Sequence, residues 1–495
     1  MIFRRLILIV FSASSLVACG SGGSTSGGAA VSSGKSLAAS SSSSESFSSR
    51  SHSSSSELAN SSNASSSSSV LVPGLTPNAA SNGSPYCRYD SAASGWGWEN
   101  GASCVVYQSA IDPGAGSFDH CKVGKEEIAY CADGAEQWGF ANGRYCIARD
   151  FCPGNAHKTQ AEQSQALVTA TASEASQAVF AYLNRIWGRK MLAGQMDLTW
   201  DDSIDMRQRV IDVTGKSPAI MGYDFMNYGA YGSISGLTQT EEAIAQWDAG
   251  GLVTFAWHWR DPSGETANFY VGQSEASKNT NFTIPVKDAE LDRQSEAFIA
   301  IEHDVDLIAS ELQKLAQANV PVLWRPLHEA AGGWFWWGRE RTDGVPAGYA
   351  QTLLWRYMYD RLTNYHGLNN LIWVWNGQNA IWYPGDDVVD IVSTDIYDGE
   401  RNTESQIDYY QLTAAYPHQE KMVALSENSN IPDPDLMQAD GAWWLWFMVW
   451  NDGAVNTTED HSSNFWTGEY YNTDAHKKHV YNHELVITQD ELPSF

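Results

Sequence analysis

Short apolar runs alternate with longer amphipathic segments through the C-terminal two thirds of the chain. Eight runs have the length and apolar character of buried strands. They are residues 191–196, 218–225, 252–259, 320–327, 371–376, 388–397, 422–426 and 442–450. Apolar positions recur at helical spacing between several of them, at 241–249, 301–318 and 349–365, and a first helix is predicted within 160–177.

Strand and helix alternating eight times over roughly 300 residues is typical of a (β/α)₈ TIM barrel. A doubly wound sheet is the rival, but no Gly-rich phosphate loop follows an early strand. We therefore predict an α/β fold, with a (β/α)₈ barrel over residues 165–495. Functional residues of such barrels stand at the C-terminal ends of the strands.

Polar and aromatic residues end most of these runs and should meet at one mouth. They are Asp224, His258, Trp259, His328, Glu329, Asn376, Asp395, Tyr397, Glu427, Trp450 and Asn451. Because the strand interiors are apolar, this pattern is typical of a site rather than of a core.

Glu329 and Glu427 follow apolar runs directly, where a charge is costly unless it is hydrogen-bonded or useful. Each has a structural alternative, since Arg325 could satisfy Glu329, and Glu427 could cap the following loop. Their places on the fourth and seventh strands favour joint catalysis. Glycoside cleavage needs one carboxylic acid to protonate the leaving oxygen and one carboxylate to attack the sugar or activate water.

Several motifs carry a resemblance to a known family, over about residues 165–490. In chain order they are Phe255-Ala-Trp-His-Trp259, Arg325-Pro-Leu-His-Glu329, Gly333-Trp-Phe-Trp-Trp337, Leu371-Ile-Trp-Val-Trp-Asn376 and Leu425-Ser-Glu-Asn428. These motifs resemble glycoside hydrolase family 26. The resemblance implies a retaining endo-β-1,4-mannanase, with Glu329 as general acid/base and Glu427 as nucleophile.

The same resemblance implies further site residues. His258, Arg325 and His328 would bind the sugar or orient the carboxylates, and Asp395 and Tyr397 would line the site. Trp450 would be the floor on which a sugar stacks, and Trp446 competes for that role.

We expect the reaction to need no cofactor and no metal. His476, His479 and His483 lie at helical spacing near the C-terminus, and we interpret them as a solvated helix face rather than a metal site.

Six cysteines are confined to residues 86–154, which predicts a small disulfide-stapled module. They are Cys87, Cys104, Cys121, Cys131, Cys146 and Cys152. An even number in a short exported segment indicates three disulfides, and the absence of a Cys-x-x-Cys pair disfavours zinc. Six cysteines allow fifteen pairings, so none is assigned.

An internal repeat lies within this module. Trp96-Gly-Trp98-Glu-Asn-Gly-Ala-Ser-Cys104 recurs as Trp138-Gly-Phe140-Ala-Asn-Gly-Arg-Tyr-Cys146. Aromatic residues two apart share one face of a strand, where they can grip a flat sugar chain or cover the disulfide core. The first copy resembles carbohydrate-binding module family 10, which implies cellulose as a ligand. The second copy departs from that pattern at Phe140.

The N-terminus predicts export. Residues 1–18 have a charged start and a short apolar stretch, too short to span a bilayer. Leu16-Val-Ala-Cys19 resembles a bacterial lipobox, which implies lipid attachment at Cys19 and, with Gly20 next, the outer membrane. An ordinary secretory signal with a chance cysteine is the alternative. Residues 19–85 are Ser-rich and predict a flexible linker.

The charge and the aromatic content bear on the partners. With 58 acidic and 30 basic residues the net charge is -28, which disfavours nucleic acid and anionic lipid. The 21 Trp and 22 Tyr suit either an aromatic core or sugar binding. We expect β-mannan as substrate and cellulose as a ligand of the module, with membrane contact only through the lipid. The alternatives are a hydrolase of xylan or mixed-linkage β-glucan, and a non-catalytic surface glycan-binding protein.

Overall fold

The structure is a computed structural model that describes most of the chain beyond residue 94. The described residues are 95–99, 102–106, 111, 120–123, 126–131, 137–141, 144–148, 151–152, 166–229, 237–453, 461 and 463–495. The predicted signal (1–18), Cys19, the linker (19–85) and Cys87 lie outside them. Among the helices that can be described, none has the length and apolar character needed to cross a bilayer.

The described residues of the Cys-rich module contain six short strands. These are β1 Trp96–Glu99, β2 Ala102–Val105, β3 His120–Val123, β4 Glu126–Tyr130, β5 Trp138–Ala141 and β6 Arg144–Ile147. β1 and β2 form an antiparallel hairpin, and the other four form a sheet in the order β3-β4-β6-β5. Disulfides join Cys121 to Cys152 and Cys131 to Cys146, and Cys104 is disulfide-bonded as well. The prediction of structural disulfides is thereby confirmed for these two pairs.

The second part of the chain contains a parallel sheet whose strands follow chain order. Its strands and those beside it are β7 Met191–Leu192, β8 Gly194–Met196, β9 Ile220–Asp224, β10 Leu252–Ala256, β11 Val286–Lys287, β12 Glu290–Leu291, β13 Val322–Arg325, β14 Leu371–Trp375, β15 Ile391–Ile396, β16 Met422–Asn428 and β17 Val486–Ile487. Seven of them form the sheet β16-β15-β14-β13-β10-β9-β8. β11 pairs with β12, and β7 with β17.

The eighth predicted strand, 442–450, does not form as a regular strand. The backbone of its first residues makes local hydrogen bonds instead of pairing with a strand, and one of them runs from the Trp444 N–H to the Ala442 carbonyl (2.8 Å). Its later residues make isolated parallel bridges to both edges of the sheet, because Val449 pairs with Gln195 on one side and with Asn428 on the other. The segment therefore links the first and last strands, which is consistent with the (β/α)₈ architecture.

Eight α-helices lie beside the sheet in the described part of the chain. They are α1 Glu174–Ile186, α2 Met206–Thr214, α3 Gln239–Asp248, α4 Glu296–Gln317, α5 Ala347–Tyr359, α6 Ile407–Ala414, α7 Pro434–Asp440 and α8 Asp474–Tyr481. α1 begins later and α4 earlier than predicted, because Ser173 and Ser295 cap their first turns through hydrogen bonds to backbone N–H groups. α5 continues into a π-helical turn at Asp360–Tyr365.

Two clusters of buried side chains hold the sheet. One fills its interior and continues onto α1, and includes Met196, Ile220, Leu323 and Ile372. The other lies between the sheet and the outer helices. Alternation along each strand separates the two clusters, as expected for strands buried on both faces.

The connection from β14 to β15 differs from the others. It contains two short 3₁₀ turns, Ala380–Trp382 and Asp386–Val388, and no α-helix. The Cys-rich module packs against this stretch. Its buried side chains, including Ile147 and Phe151, belong to the same continuous apolar cluster as the outer layer of the barrel domain.

Candidate active site

Three carboxylates meet at the C-terminal ends of the strands. One oxygen from each of Glu329, Asp395 and Glu427 lies within 4.8 Å of the others. Glu329 follows β13, whereas Asp395 and Glu427 lie within the neighbouring strands β15 and β16. The structure thus brings the two predicted glutamates together, with a third acid beside them.

A β-bulge determines where Glu427 points. Thr394 is the register partner of Leu425, but Asp395 is the partner of Glu427, so Ser426 is an extra residue in β16. Ala424 belongs to the interior cluster and Leu425 to the outer one. Simple alternation would turn position 427 outward, and the bulge returns it to the side that Asp395 occupies.

Two hydrogen-bond donors hold the Glu427 carboxylate. The Arg325 guanidinium donates to Glu427 Oε1, and the Tyr397 hydroxyl donates to Oε2 at 2.7 Å. Arg325 also donates to Asp395 at 3.1 Å, and the Asn376 amide donates to the other Asp395 oxygen at 2.7 Å. Donors and an opposite charge stabilise an ionised carboxylate in a buried place, which is the state that a nucleophile requires.

Glu329 stands in a different environment. Trp334 donates its indole N–H to Glu329 Oε2 at 2.8 Å. Burial and the nearby negative charge of Glu427 raise the pKa of Glu329 to about 7. Glu329 can therefore keep its proton in near-neutral water, as a general acid must.

The backbone at Glu329 is strained and firmly held. Leu327 and Glu329 have φ angles of 53° and 52°, in the left-handed region that non-glycine residues rarely occupy. The Glu329 N–H donates to the Asn376 carbonyl at 2.7 Å. The next residue, Ala330, packs closely on Gly338. A Cβ added to Gly338 would lie 1.8 Å from the Ala330 carbonyl oxygen.

A pair of histidines lies beside Glu427. Burial lowers the pKa of His258, but Asp224, whose carboxylate accepts a hydrogen bond from His258 Nδ1, and the charge of Glu427 together raise it above its ordinary value. Burial, together with the charges of His258 and Arg325, holds the pKa of His328 well below its ordinary value. The two rings meet Nε2 to Nε2 at 3.3 Å, which allows a hydrogen bond between them.

Aromatic rings surround these polar groups. Trp450 is partly exposed and its ring lies 5.7 Å from His258, centroid to centroid. Trp446, the competing candidate for the stacking floor, is fully buried in the interior cluster. Only Trp450 of the two can therefore meet a sugar at the site. Phe335 adds a wall against both histidines.

Trp259, which was expected at the mouth, is fully buried and donates its indole N–H to Asp304 at 2.8 Å. The six further barrel residues that the family resemblance assigned to the site gather around the two glutamates. They are His258, Arg325, His328, Asp395, Tyr397 and Trp450. Asp224 and Asn376, which were expected at this mouth as the ends of apolar runs, are direct partners of His258 and Asp395. Sequence reasoning missed Trp334 as the partner of Glu329, because the run Gly333 to Trp337 does not show which tryptophan reaches it.

The four aromatic residues predicted to bind sugar in the module have different environments. Trp96 is exposed, and only the backbone of Trp98 can be described. Phe140 is exposed and lies against Tyr145. Trp138 is half-buried and engaged within the chain, because its indole N–H donates to the Ile381 carbonyl at 2.9 Å.

The C-terminal histidines are less solvated than predicted. His479 is exposed, but His476 Nε2 bonds the Ile431 carbonyl at 2.9 Å. His483 lies partly buried beside Asp435. Asp435, His479 and His483 place one ligand atom each within 4.8 Å of one another. However, His483 Nδ1 accepts the Leu485 N–H (3.2 Å), which leaves the proton on its other nitrogen and disfavours metal ligation there.

A parallel sheet with a proton-holding glutamate and an arginine-held glutamate at its mouth defines a glycoside hydrolase. The model of glycosyl hydrolase family 26 matches residues 168–491, and the chain belongs to this family.

Similar proteins agree with the family assignment. A mannan endo-1,4-beta-mannosidase of Thermothelomyces thermophilus is 38% identical over 359 residues, which are 72% of this chain and 68% of that protein. Mannan endo-1,4-beta-mannosidase B of Piromyces sp is 33% identical over 69% of this chain, which spans 56% of that relative. Among solved structures, a beta-mannanase from a symbiotic protist of the termite Reticulitermes speratus, complexed with gluco-manno-oligosaccharide, matches with a TM-score of 0.58. It is 33% identical and covers 67% of this chain and 98% of its own.

Proposed function

We propose that the protein is a retaining endo-β-1,4-mannanase that hydrolyses mannan, glucomannan or galactomannan. The observation that carries the proposal is the Glu329–Glu427 pair, in which one carboxyl group keeps its proton and the other is held by cationic and hydroxyl donors. The names of the relatives, which describe mannan endo-1,4-beta-mannosidases, support the choice of sugar.

The first half of the reaction forms a glycosyl-enzyme. Glu329 gives its proton to the glycosidic oxygen as the bond to the sugar C1 breaks, and a Glu427 oxygen attacks C1 from the other side. Tyr397 and Arg325 lie on the Glu427 oxygens and hold the attacking carboxylate in one orientation. The aglycone leaves as an alcohol, and Glu329 becomes a carboxylate.

The second half returns both glutamates to their starting states. Glu329, now ionised, takes a proton from a water molecule, whose oxygen attacks C1 of the glycosyl-enzyme. The bond from C1 to Glu427 breaks, and the free sugar keeps its original anomeric configuration. The pair is ready for another substrate once this product leaves.

The closeness of the two glutamates supports retention. Their nearest oxygens lie within 4.8 Å, whereas inverting enzymes separate the two carboxyl groups by roughly 6.5–9.5 Å to admit a water molecule. A direct attack by Glu427 therefore suits this geometry better than attack by an intervening water.

Product analysis tests the proposal. Soluble mannan, glucan and xylan are each incubated with the enzyme, and products are sized while fresh anomers are followed by NMR. We expect internal cleavage of mannan with β-anomers formed first, and loss of turnover in Glu427→Ala. Activity on xylan or mixed-linkage glucan but not on mannan would refute the substrate, and unchanged turnover of Glu427→Ala would refute the mechanism.

We further propose that the module binds β-glucan chains such as cellulose through its first repeat. The exposed Trp96 supports this role. A Trp96→Ala, Trp98→Ala double variant should adsorb less to insoluble cellulose than the wild type. Equal adsorption would argue that these tryptophans are structural.

Export and lipid anchoring at Cys19, most simply at the outer membrane, complete the proposal. The motif ending at Cys19 is its support. In bacterial cells fed labelled palmitate, the wild-type chain should carry the label and Cys19→Ser should not. A labelled Cys19→Ser chain would contradict the anchor.

A further inference from the structure

The second repeat of the module lies against the barrel domain where a helix is missing. Residues 376–390 join β14 to β15 through two 3₁₀ turns alone. The module's Phe151 stacks on His418, with ring centroids 5.5 Å apart. This part of the barrel domain is therefore covered by the module rather than by its own helix.

Trp138 makes a directed contact across this interface. Its indole N–H donates to the Ile381 carbonyl at 2.9 Å, across 243 residues of sequence. Its ring meets the Tyr349 ring edge-on at 5.6 Å, and Tyr145 packs on the same Tyr349 at 4.8 Å. One residue of the module thus contacts both the connection from β14 to β15 and the start of α5.

A series of hydrogen bonds joins Ile381 to the start of the same loop. The Ile381 N–H donates to Asn379 Oδ1 at 3.2 Å, which closes the 3₁₀ turn. Gln378 donates to Asn376 Oδ1 at 3.0 Å and has a left-handed φ of 60°. Asn376 in turn holds Asp395 through its side-chain amide.

The loop also holds the backbone that carries Glu329. The Glu329 N–H donates to the Asn376 carbonyl at 2.7 Å, and the Ala331 N–H donates to the Gly377 carbonyl at 3.1 Å. Because Glu329 itself has a left-handed φ, its conformation depends on such external bonds. A displaced loop would therefore misplace the general acid.

We propose that Trp138 is a positioning residue for the glycosidase reaction, and that the module's second repeat fixes the loop 376–382 and thereby the Glu329 backbone. The two copies of the repeat are then divided in function. The first leaves Trp96 about half exposed, and the second docks against the barrel domain through Trp138. This inference rests on the proposed role of Glu329 as general acid.

Leaving-group dependence provides the test, because a good leaving group needs little acid catalysis. In the full-length protein, kcat/KM is measured on mannopentaose and on a dinitrophenyl β-mannobioside. Trp138→Phe keeps an aromatic ring beside Tyr349 but lacks the indole N–H and one of the two fused rings. We expect it to lower kcat/KM about 5- to 20-fold on mannopentaose and less than about 2-fold on the aryl substrate. Trp138→Ala should enlarge the first effect.

Controls separate this inference from the proposed function. Glu329→Ala must lose far more activity on mannopentaose than on the aryl substrate, and if it does not, Glu329 is not the acid, whatever Trp138 does. Tyr365→Ala, which removes an exposed ring elsewhere, should leave both values unchanged. With Glu329→Ala behaving as an acid variant, three results would overturn the role of Trp138. They are unchanged kcat/KM in Trp138→Phe and Trp138→Ala, equal losses on both substrates, and weakened cellulose adsorption with normal turnover.

Discussion

Replacing Glu427 by Gln should lower the pKa of Glu329, because it removes one of the two causes that raise it. Burial is the larger cause and remains in the variant, while the negative charge of Glu427 disappears. Glutamine has nearly the same shape, but its amide has one accepting oxygen, so it can keep the bond from Arg325 or the bond from Tyr397 and not both. The comparison therefore removes the charge of Glu427 with little change in side-chain volume.

The expected size follows from the separation of the carboxylates. Two unit charges 4.8 Å apart interact by about 3.5 kcal/mol at an effective dielectric constant of about 20, equivalent to about 2.5 pH units. Arg325 donates to Glu427 and cancels part of this repulsion. We therefore expect the pKa of Glu329 to fall by about 1 to 2 from its wild-type value of about 7.

Carbon-13 NMR of glutamate side chains measures this titration without turnover. The Glu329 signal is assigned as the resonance that a Glu329→Gln, Glu427→Gln double variant lacks. Glu242→Gln is the matched control, since it removes a carboxylate that does not contribute to the pKa of Glu329. An unchanged Glu329 titration in Glu427→Gln would show that the two carboxylates are not coupled, and would refute the acid and nucleophile assignment as a pair.

The remaining predictions concern pH, charge and packing. In the wild type, kcat/KM on mannan oligosaccharides should fall as pH rises above about 7, because Glu329 then loses its proton; a rate flat to pH 9 would contradict this. Arg325→Met leaves two buried carboxylates without their cation. Urea denaturation should therefore show that the free energy of unfolding falls by about 3–5 kcal/mol, and kcat should be greatly reduced. Wild-type stability would argue against the ion pairs. Burial and Asp197 raise the pKa of Glu242 from 4.5 to about 7. Its contribution to stability is therefore present below pH about 4.5 and lost as pH rises to about 7, and Glu242→Gln should flatten this part of the Tm–pH curve. Gly338→Ala would place a Cβ 1.8 Å from the Ala330 oxygen. It should lower the free energy of unfolding by about 2 kcal/mol or more and reduce kcat on unactivated substrates. A normal Tm and kcat would show that the loop adapts.

Strand periodicity was sufficient to find the candidate site but not to orient it. Glu329 and Glu427 could be assigned to the same end of the barrel because each ends an apolar run, one on the fourth and one on the seventh predicted strand. Alternation from Ala424 and Leu425 would have turned Glu427 outward, and only the bulge at Ser426 corrects it. A bulge depends on cross-strand register, which no local pattern in β16 reveals.

Long-range contacts account for the other differences. The contact of Trp334 with Glu329 depends on a side-chain conformation, and the Asp224–His258 bond joins two strands. The eighth strand was predicted from an apolar run, yet its backbone divides its bonds between two sheet edges. Such choices are settled by tertiary packing rather than by local propensity.

A recombination event that exchanged either the module or the barrel domain would expose apolar surface on both of them. Ile147 and Phe151 on one side, and the helix-free connection between β14 and β15 on the other, share a single buried cluster. The module and the barrel domain should therefore be inherited together. Relatives without the module are expected to bear a helix or bulkier side chains over Ile381 and His418.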